Sequence, residues 1–304
     1  MGHGSYQSRD WDRLKSARNI NRQSTVQDLY QSRSMKAHLN PYGVTYRESC
    51  DSLDNPASTA IIVGLDVTGS MGYLSEHIAK GALNRTMLEI YDKNPVTNPH
   101  IMFQAIGDSK SDEAPLQTTQ FEADIRIAEQ LLDVYFEGRG GGNGGESYLL
   151  SWYFAARHTK IDCYEKRREK GFLFTIGDEC CHKTLTPEEI LRVFGDKDVE
   201  KEYSARELFD EASEKYEIFH IVMKAGAYGY QHSGKDWHDL IGSRAIELDP
   251  DDLDVLPEIF VSLMQYTKGL TRDQILAQWS GKAADVVNRI LKDMDAASSL
   301  FLSW

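Results

Sequence analysis

Three oxygen-bearing side chains follow a short apolar run near the start of the chain's main hydrophobic region. Residues 66–70 read Asp-Val-Thr-Gly-Ser, so a carboxylate and two hydroxyls stand at alternate positions, on Asp66, Thr68 and Ser70. A second carboxylate, Asp178, follows another apolar run. Hard cations such as Mg²⁺ take oxygen ligands and keep several waters, so a few such side chains from separate loops suffice. The residue types therefore predict a divalent-cation site.

A glycine-rich segment lies between these two groups. Residues 140–147 read Gly-Gly-Gly-Asn-Gly-Gly-Glu-Ser, and Asn143 and Glu146 are its candidate ligands. An Asn side chain offers a neutral carbonyl oxygen, and a Glu side chain offers a carboxylate. The alternative is that both residues only shape the loop or cap the helix predicted to follow it.

The elements that must position these residues alternate along the chain. Apolar, β-branched runs predict strands, and amphipathic stretches between them predict helices. The predicted strands cover residues 60–65, 101–106, 116–121, 171–176, 218–223 and 245–248, and the main predicted helices cover 73–91, 124–136, 147–158 and 253–266. This alternation predicts the α/β class, with a doubly wound, mostly parallel sheet flanked by helices. In such sheets ligands bind at the carboxyl ends of the strands, where residues 66–70, 138–147 and 177–179 are expected.

Three segments are predicted from the same patterns. Residues 1–55 form a polar N-terminal extension, residues 56–269 form the α/β domain, and residues 270–304 form a C-terminal helical appendage. The first 50 residues contain eight Lys and Arg against four Asp and Glu, a net charge of +4, whereas the whole chain carries −13. This basic arm is expected either to dock on the acidic body or a partner, or to be solvated.

The loops resemble the metal-ion-dependent adhesion site of von Willebrand factor A (VWA) domains, over roughly residues 57–268. The family's first loop reads Asp-x-Ser-x-Ser, and here Thr68 replaces the first Ser. Its second loop, in members that read Gly-Gly-Gly-Asp-x-Pro-Glu, corresponds to the segment with Asn143 for Asp and Gly for Pro. Its third loop, Thr-Asp or Gly-Asp after an apolar strand, corresponds to Asp178 after Gly177.

The resemblance implies a Rossmann-like VWA fold and a binding function without catalytic residues. Thr68 and Ser70 would bind Mg²⁺ (or Mn²⁺ or Ca²⁺) directly, and Asp66 and Asp178 would bind it directly or through water. A protein partner would present an Asp or Glu to the open position. By analogy with intracellular members of the family, the partner is expected to be an AAA+ ATPase or a larger complex.

Two other functions stay open. Residues 66–70 also resemble the Asp-Lys-Thr-Gly-Thr loop of aspartyl-phosphate enzymes, in which Asp66 would be the nucleophile of a Mg²⁺-dependent phosphatase-like reaction. The necessary helpers are missing, because Thr68 stands where an acid/base Asp would be needed. The third possibility is a degenerate VWA scaffold without metal.

Composition bears on partners and location. The net charge of −13 argues against nucleic acid, and no stretch has the ~18 apolar residues that a membrane span needs. Four cysteines in 304 residues do not form a disulfide framework, so reduced thiols in a cytoplasmic protein are expected.

Residues 180–182 read Cys-Cys-His, which offers an alternative site for zinc. Trp237 and its flanking histidines, His232 and His238, are interpreted as part of an exposed loop.

Overall fold

A computed structural model describes residues 4–138, 145–224 and 230–301, and the side chains of Ser70, Tyr230, Gln231 and 297–301 are outside that description. The strands are β1 (Arg47–Ser49), β2 (Thr59–Asp66), β3 (Pro99–Ile106), β4 (Leu116–Thr118), β5 (Gly145–Glu146), β6 (Thr159–Ile161), β7 (Gly171–Gly177), β8 (Cys180–Cys181), β9 (Thr184–Leu185), β10 (Tyr203–Ser204), β11 (Tyr216–Met223) and β12 (Ala245–Leu248).

The α-helices are α1 (Ser8–Ala17), α2 (Val26–Leu29), α3 (Gly72–His77), α4 (Leu83–Lys93), α5 (Arg126–Leu131), α6 (Tyr148–Arg157), α7 (Asp162–Arg167), α8 (Pro187–Phe194), α9 (Ala205–Ser213), α10 (Tyr230–Ile241), α11 (Leu256–Thr267), α12 (Arg272–Leu276) and α13 (Gly281–Phe301). No helix in the described part of the chain is long and apolar enough to cross a membrane.

A six-stranded sheet with the order β12-β11-β7-β2-β3-β4 lies at the centre. All neighbours are parallel except β4, which pairs antiparallel with β3 at one edge. The predicted class, α/β with a doubly wound and mostly parallel sheet, is confirmed. The chain runs from β2 outward to β4, then returns to β7 on the other side of β2. This reversal of strand order between β2 and β7 is where such folds bind ligands.

The two faces of the sheet support separate cores because side chains alternate along each strand. On β2, Ile61, Val63 and Leu65 belong to the core that also contains residues of α4 and α11. Ala60 and Ile62 belong to the opposite core, which contains α6 and α9. Every residue of β2 is buried, as a central strand covered on both faces requires.

Several predicted boundaries are wrong in detail. The helix predicted over 73–91 is interrupted by a π-helical segment, Ile78–Ala82, between α3 and α4. The strand predicted over 116–121 ends at Thr118, and the helix predicted over 253–266 begins with the 3₁₀ segment Pro250–Val255. The exposed loop predicted around Trp237 is instead α10, in which Trp237 is 1% exposed. The apolar residues of that segment repeat with the period of an α-helix, and the apolar face that carries Trp237 packs inward.

The N-terminal extension packs on the body. Trp11, Val26, Leu29 and Tyr30 are buried in the same core as α4 and α11. Strand β1 pairs in parallel with β6, and Asp51 accepts a hydrogen bond of 2.8 Å from Arg167. Of the two alternatives for the arm, docking on its own body is the one that the structure shows.

Candidate metal site

The first predicted loop begins at the end of the central strand. Asp66 is the last residue of β2 and is fully buried, and Thr68 is 4% exposed. The Thr68 backbone N–H and hydroxyl both donate to Oδ1 of Asp66, at 2.8 and 2.6 Å. These bonds fold the loop back on its own carboxylate, and the Thr68 oxygen keeps lone-pair capacity for a cation. The side chain of the third predicted residue, Ser70, lies outside the described residues.

The third loop meets the first because β2 and β7 are neighbours. Leu65 pairs with Ile176, so the strand ends at Asp66 and Gly177 lie side by side. A Cβ added to Gly177 would lie 3.0 Å from Oδ2 of Asp66. Asp178 follows immediately and is 4% exposed. The structure thus brings the two predicted acids, Asp66 and Asp178, to one edge of the sheet.

The second loop delivers Glu146 to the same edge. Its short strand β5 pairs in parallel with β8, with Glu146 opposite Cys181. Glu146 is 3% exposed, and its Oε2 is buried without a hydrogen-bond partner among the described residues. An unpaired buried acceptor is costly, so this oxygen indicates a missing partner. The other predicted residue of this loop, Asn143, lies outside the described residues.

Two unpredicted neighbours complete the arrangement. The Tyr148 hydroxyl, at the start of α6, donates to Oδ2 of Asp66 at 2.8 Å. A Cβ on residue 177 would stand 1.7 Å from that hydroxyl oxygen, so only glycine fits between Asp66 and Tyr148. Asp108, two residues after β3, is fully buried, and Nε2 of His182 lies 2.8 Å from its Oδ1. The sequence signal for Asp108 was available, since it also follows an apolar strand.

The carboxylates raise one another's pKa. Burial and the charge of Asp178 raise the pKa of Asp66 to about 7, against the hydrogen bonds from Thr68 and Tyr148, which lower it. Burial and the charges of Asp66, Asp108 and Asp112 raise the pKa of Glu146 to about 10. Burial and Asp178 also raise the pKa of Glu179. A cation at this edge would offset the repulsion and supply the partner that Oε2 of Glu146 lacks among the described residues.

The donor set fits a hard cation better than zinc. Carboxylate and hydroxyl oxygens suit Mg²⁺, whereas structural zinc prefers Cys and His. Among the described residues, no group of three or more His, Cys, Asp and Glu side chains is arranged to hold a metal ion. A site here would therefore depend on hydroxyl oxygens, such as that of Thr68, and on water for its remaining ligands. The Cys-Cys-His segment has no zinc arrangement within the same residues.

Comparison with known proteins gives structural matches only. No protein-family model and no curated protein matches the sequence. Two solved structures of the pilus adhesin SpaC from Lactobacillus rhamnosus GG match 71% of this chain, at 9% identity and a TM-score of 0.46. This chain covers 31% and 32% of them, about a third of their length. The vWF domain of the type V pili tip protein Mfa5 from Porphyromonas gingivalis matches 71% of this chain and 97% of its own, at 8% identity and a TM-score of 0.43.

Proposed function

We propose that this chain is a VWA-type module that binds one divalent cation and, through it, an acidic residue of another protein. The observation that carries the proposal is geometric. Asp66 at the end of β2, Asp178 after β7 and Glu146 on β5 are all buried at the edge of the sheet where the strand order reverses, and Oε2 of Glu146 has no hydrogen-bond partner among the described residues. Ligands of open α/β sheets bind at this position.

The roles follow from the contacts. Thr68 would bind the ion through its hydroxyl oxygen, whose proton is already donated to Asp66. Asp66 and Asp178 would bind it directly or through water, and Ser70, Asn143 and Glu146 are the further ligands of the proposal. Mg²⁺ keeps open positions for water or an incoming ligand, which is the chemistry that a partner carboxylate would use. Mn²⁺ and Ca²⁺ are the other ions that such oxygen ligands accept.

The phosphatase alternative is disfavoured by the surroundings of Asp66. A nucleophile must be reached by a phosphate ester, yet Asp66 is fully buried and held by hydrogen bonds from Thr68 and Tyr148. We therefore propose a binding role without turnover. The proposal includes an intracellular setting, with an AAA+ ATPase or a larger complex as partner. The sequence resemblance is the only support for this part of the proposal.

Metal dependence of the melting temperature tests the proposal. A ligand that binds only the folded state stabilises it, so Mg²⁺ should raise the melting temperature of the wild type and EDTA should reverse the rise. Asp178→Asn should lose the response. Asp196→Asn is the matched control, since Asp196 accepts a hydrogen bond from Tyr153 away from the site. Equal melting with Mg²⁺ and EDTA would instead support a scaffold without metal, and binding of beryllium fluoride at Asp66 would support the phosphatase.

A further inference from the structure

The position of the Glu146 carboxylate depends on the backbone that carries it. Glu146 lies on β5, a strand of two residues that forms a two-stranded sheet with β8. Its Oε2 is buried without a hydrogen-bond partner among the described residues. Because these residues give the oxygen no bond, its position depends on how firmly the backbone of residues 145–147 is held.

His182 holds this backbone in two ways. Its backbone N–H donates to the Glu146 carbonyl at 3.1 Å. Its ring packs closely against β5, because a Cβ added to Gly145 would lie 3.0 Å from Nδ1 and 3.2 Å from Cε1. The side chain of His182 is buried. The position of this ring therefore affects the residue next to Glu146.

Two neighbours fix the orientation of the ring. Nε2 of His182 lies 2.8 Å from Oδ1 of Asp108, and a carboxylate can only accept, so Nε2 is the donor. Nδ1 lies 3.4 Å from Nζ of Lys110, and an ammonium group can only donate, so Nδ1 is the acceptor. Both ring nitrogens of His182 are thus bonded to the segment that follows β3.

The Asp108 carboxylate is itself anchored. Its Oδ1 also accepts the Lys110 backbone N–H at 2.9 Å, and its Oδ2 accepts the Ser111 hydroxyl at 3.1 Å. The residue is fully buried. A fixed and buried acceptor can hold a donor firmly, so Asp108 is a suitable support for His182.

Ser147 connects the same segment to the other side of Glu146. The Ser109 backbone N–H donates to the Ser147 hydroxyl oxygen at 2.8 Å. The Ser147 backbone N–H donates to the Gly107 carbonyl at 3.2 Å, and Ser147 is fully buried. Glu146 is therefore flanked by two positions that are held against the segment after β3, one through His182 and one through Ser147.

We propose that His182, held by Asp108, positions Glu146 for the cation and thereby raises the Mg²⁺ affinity of the site. The inference rests on the proposed function, because Glu146 is one of its metal ligands. His182 acts through Glu146 and is not itself a ligand. Residues that orient metal ligands typically change metal affinity by about 10- to 100-fold when they are replaced.

The experiment measures the Mg²⁺ affinity of the full chain by calorimetry, with urea denaturation in EDTA to confirm that each variant folds. His182→Phe keeps a planar ring against β5 but removes both ring nitrogens, whereas His182→Gln offers an amide N–H to Asp108 in place of Nε2. Ser147→Ala deletes only a hydroxyl. His158→Phe is the matched control, since Nε2 of the buried His158 lies 3.1 Å from Oδ2 of Asp196, away from the site.

We expect His182→Phe to weaken Mg²⁺ binding about tenfold or more, and His182→Gln to recover most of that loss. Ser147→Ala should also weaken binding, and His158→Phe should bind like the wild type. In a Glu146→Gln background His182→Phe should cause little further loss, because the residue through which His182 acts is already changed. A general structural role would instead give the same loss in both backgrounds. If His182→Phe does not fold, Ser147→Ala takes its place in the two backgrounds.

Three outcomes would overturn the inference. Wild-type Mg²⁺ affinity of both His182→Phe and Ser147→Ala would reject it and leave the proposed function standing. A His182→Gln protein that binds as weakly as His182→Phe, or an equal loss in the Glu146→Gln background, would show that His182 does not position Glu146 through Asp108. A wild type that binds no Mg²⁺ would reject both proposals together.

Discussion

The hydroxyl of Tyr148 donates a 2.8 Å hydrogen bond to Oδ2 of Asp66, so helix α6 holds the carboxylate that ends the central strand. Tyr148 is fully buried, and its ring packs edge-on against Trp237 at 5.3 Å. Trp237 in turn donates through Nε1 to the Glu179 carbonyl at 3.0 Å. Through these contacts the first and third loops share one support beneath the site.

Tyr148→Phe should weaken Mg²⁺ binding and lower the free energy of unfolding by about 1–3 kcal/mol, because Oδ2 of Asp66 loses its donor in a buried place. Tyr153→Phe is the matched control on the same helix, since the Tyr153 hydroxyl donates to Asp196 at 2.6 Å. Calorimetry should show reduced Mg²⁺ affinity only for Tyr148→Phe. Equal Mg²⁺ affinity in both variants would remove Tyr148 from the support of the site.

Gly177→Ala should disrupt the site, because the new Cβ would lie 1.7 Å from the Tyr148 hydroxyl oxygen. Overpacking of a rigid core typically costs about 1–3 kcal/mol, and here it would also displace Asp66 or Tyr148. Gly81→Ala is the control, because a Cβ there meets nothing within 4 Å. Urea denaturation should show a clear loss in the free energy of unfolding for Gly177→Ala and none for Gly81→Ala. A Gly177→Ala protein as stable as the wild type would contradict the packing described.

Glu146→Gln should stabilise the metal-free protein at pH 8 and reduce its response to Mg²⁺. The variant removes a buried carboxyl whose ionisation is opposed by burial and by Asp66 and Asp108. Near pH 4 the gain should vanish, since Glu146 is then protonated in the folded chain and nearly so in the unfolded one. Glu189→Gln serves as control, because Glu189 is bonded to Ser109 and Thr186. A Glu146→Gln protein that is less stable at pH 8 would show that the carboxylate has a cationic partner.

The pH dependence of the metal-free protein follows from the same groups. Their unfolded pKa values are about 3.9 for Asp and 4.3 for Glu. In the folded chain the values rise to about 7 for Asp66 and about 10 for Glu146. Above about pH 4 the folded state therefore binds more protons than the unfolded state. The contribution of Asp66 to the free energy of unfolding falls as pH rises from about 4 to about 7, and that of Glu146 falls as pH rises from about 4 to about 10. Mg²⁺ favours the ionised forms, so its melting shift should be larger at pH 8 than at pH 5.5; a shift independent of pH would contradict this.

The sequence was sufficient to predict the sheet and the loops at its edge. Buried runs such as 171–176 end at polar residues, and parallel strands bring those ends together, so Asp66 and Asp178 were predictable neighbours. The helix starts at Thr186 and Ser204 were also predictable, because each residue is followed three positions later by a Glu, and both capping boxes form in the structure. Local chemistry and strand direction decide these features.

Other features depend on tertiary packing that no local pattern encodes. The bond between Tyr148 and Asp66 requires α6 to lie over the end of β2, and the need for Gly177 appears only once that hydroxyl is placed. The burial of Trp237 on α10 and of Tyr30 on the body depends on surfaces far away in sequence. By contrast, the interruption of the helix at 78–82 had a local signal, because it contains Gly81, whose backbone is non-helical.

Calorimetric titration of Mg²⁺ into the wild type and into Thr68→Val decides whether a cation binds at the Asp66 loop. Valine keeps the shape of Thr68 but removes the hydroxyl that would bind the ion and that donates to Asp66 at 2.6 Å. We predict one Mg²⁺ per chain in the wild type and no measurable binding in the variant. Equal binding in both proteins, or none in the wild type, would contradict a cation site at the Asp66 loop.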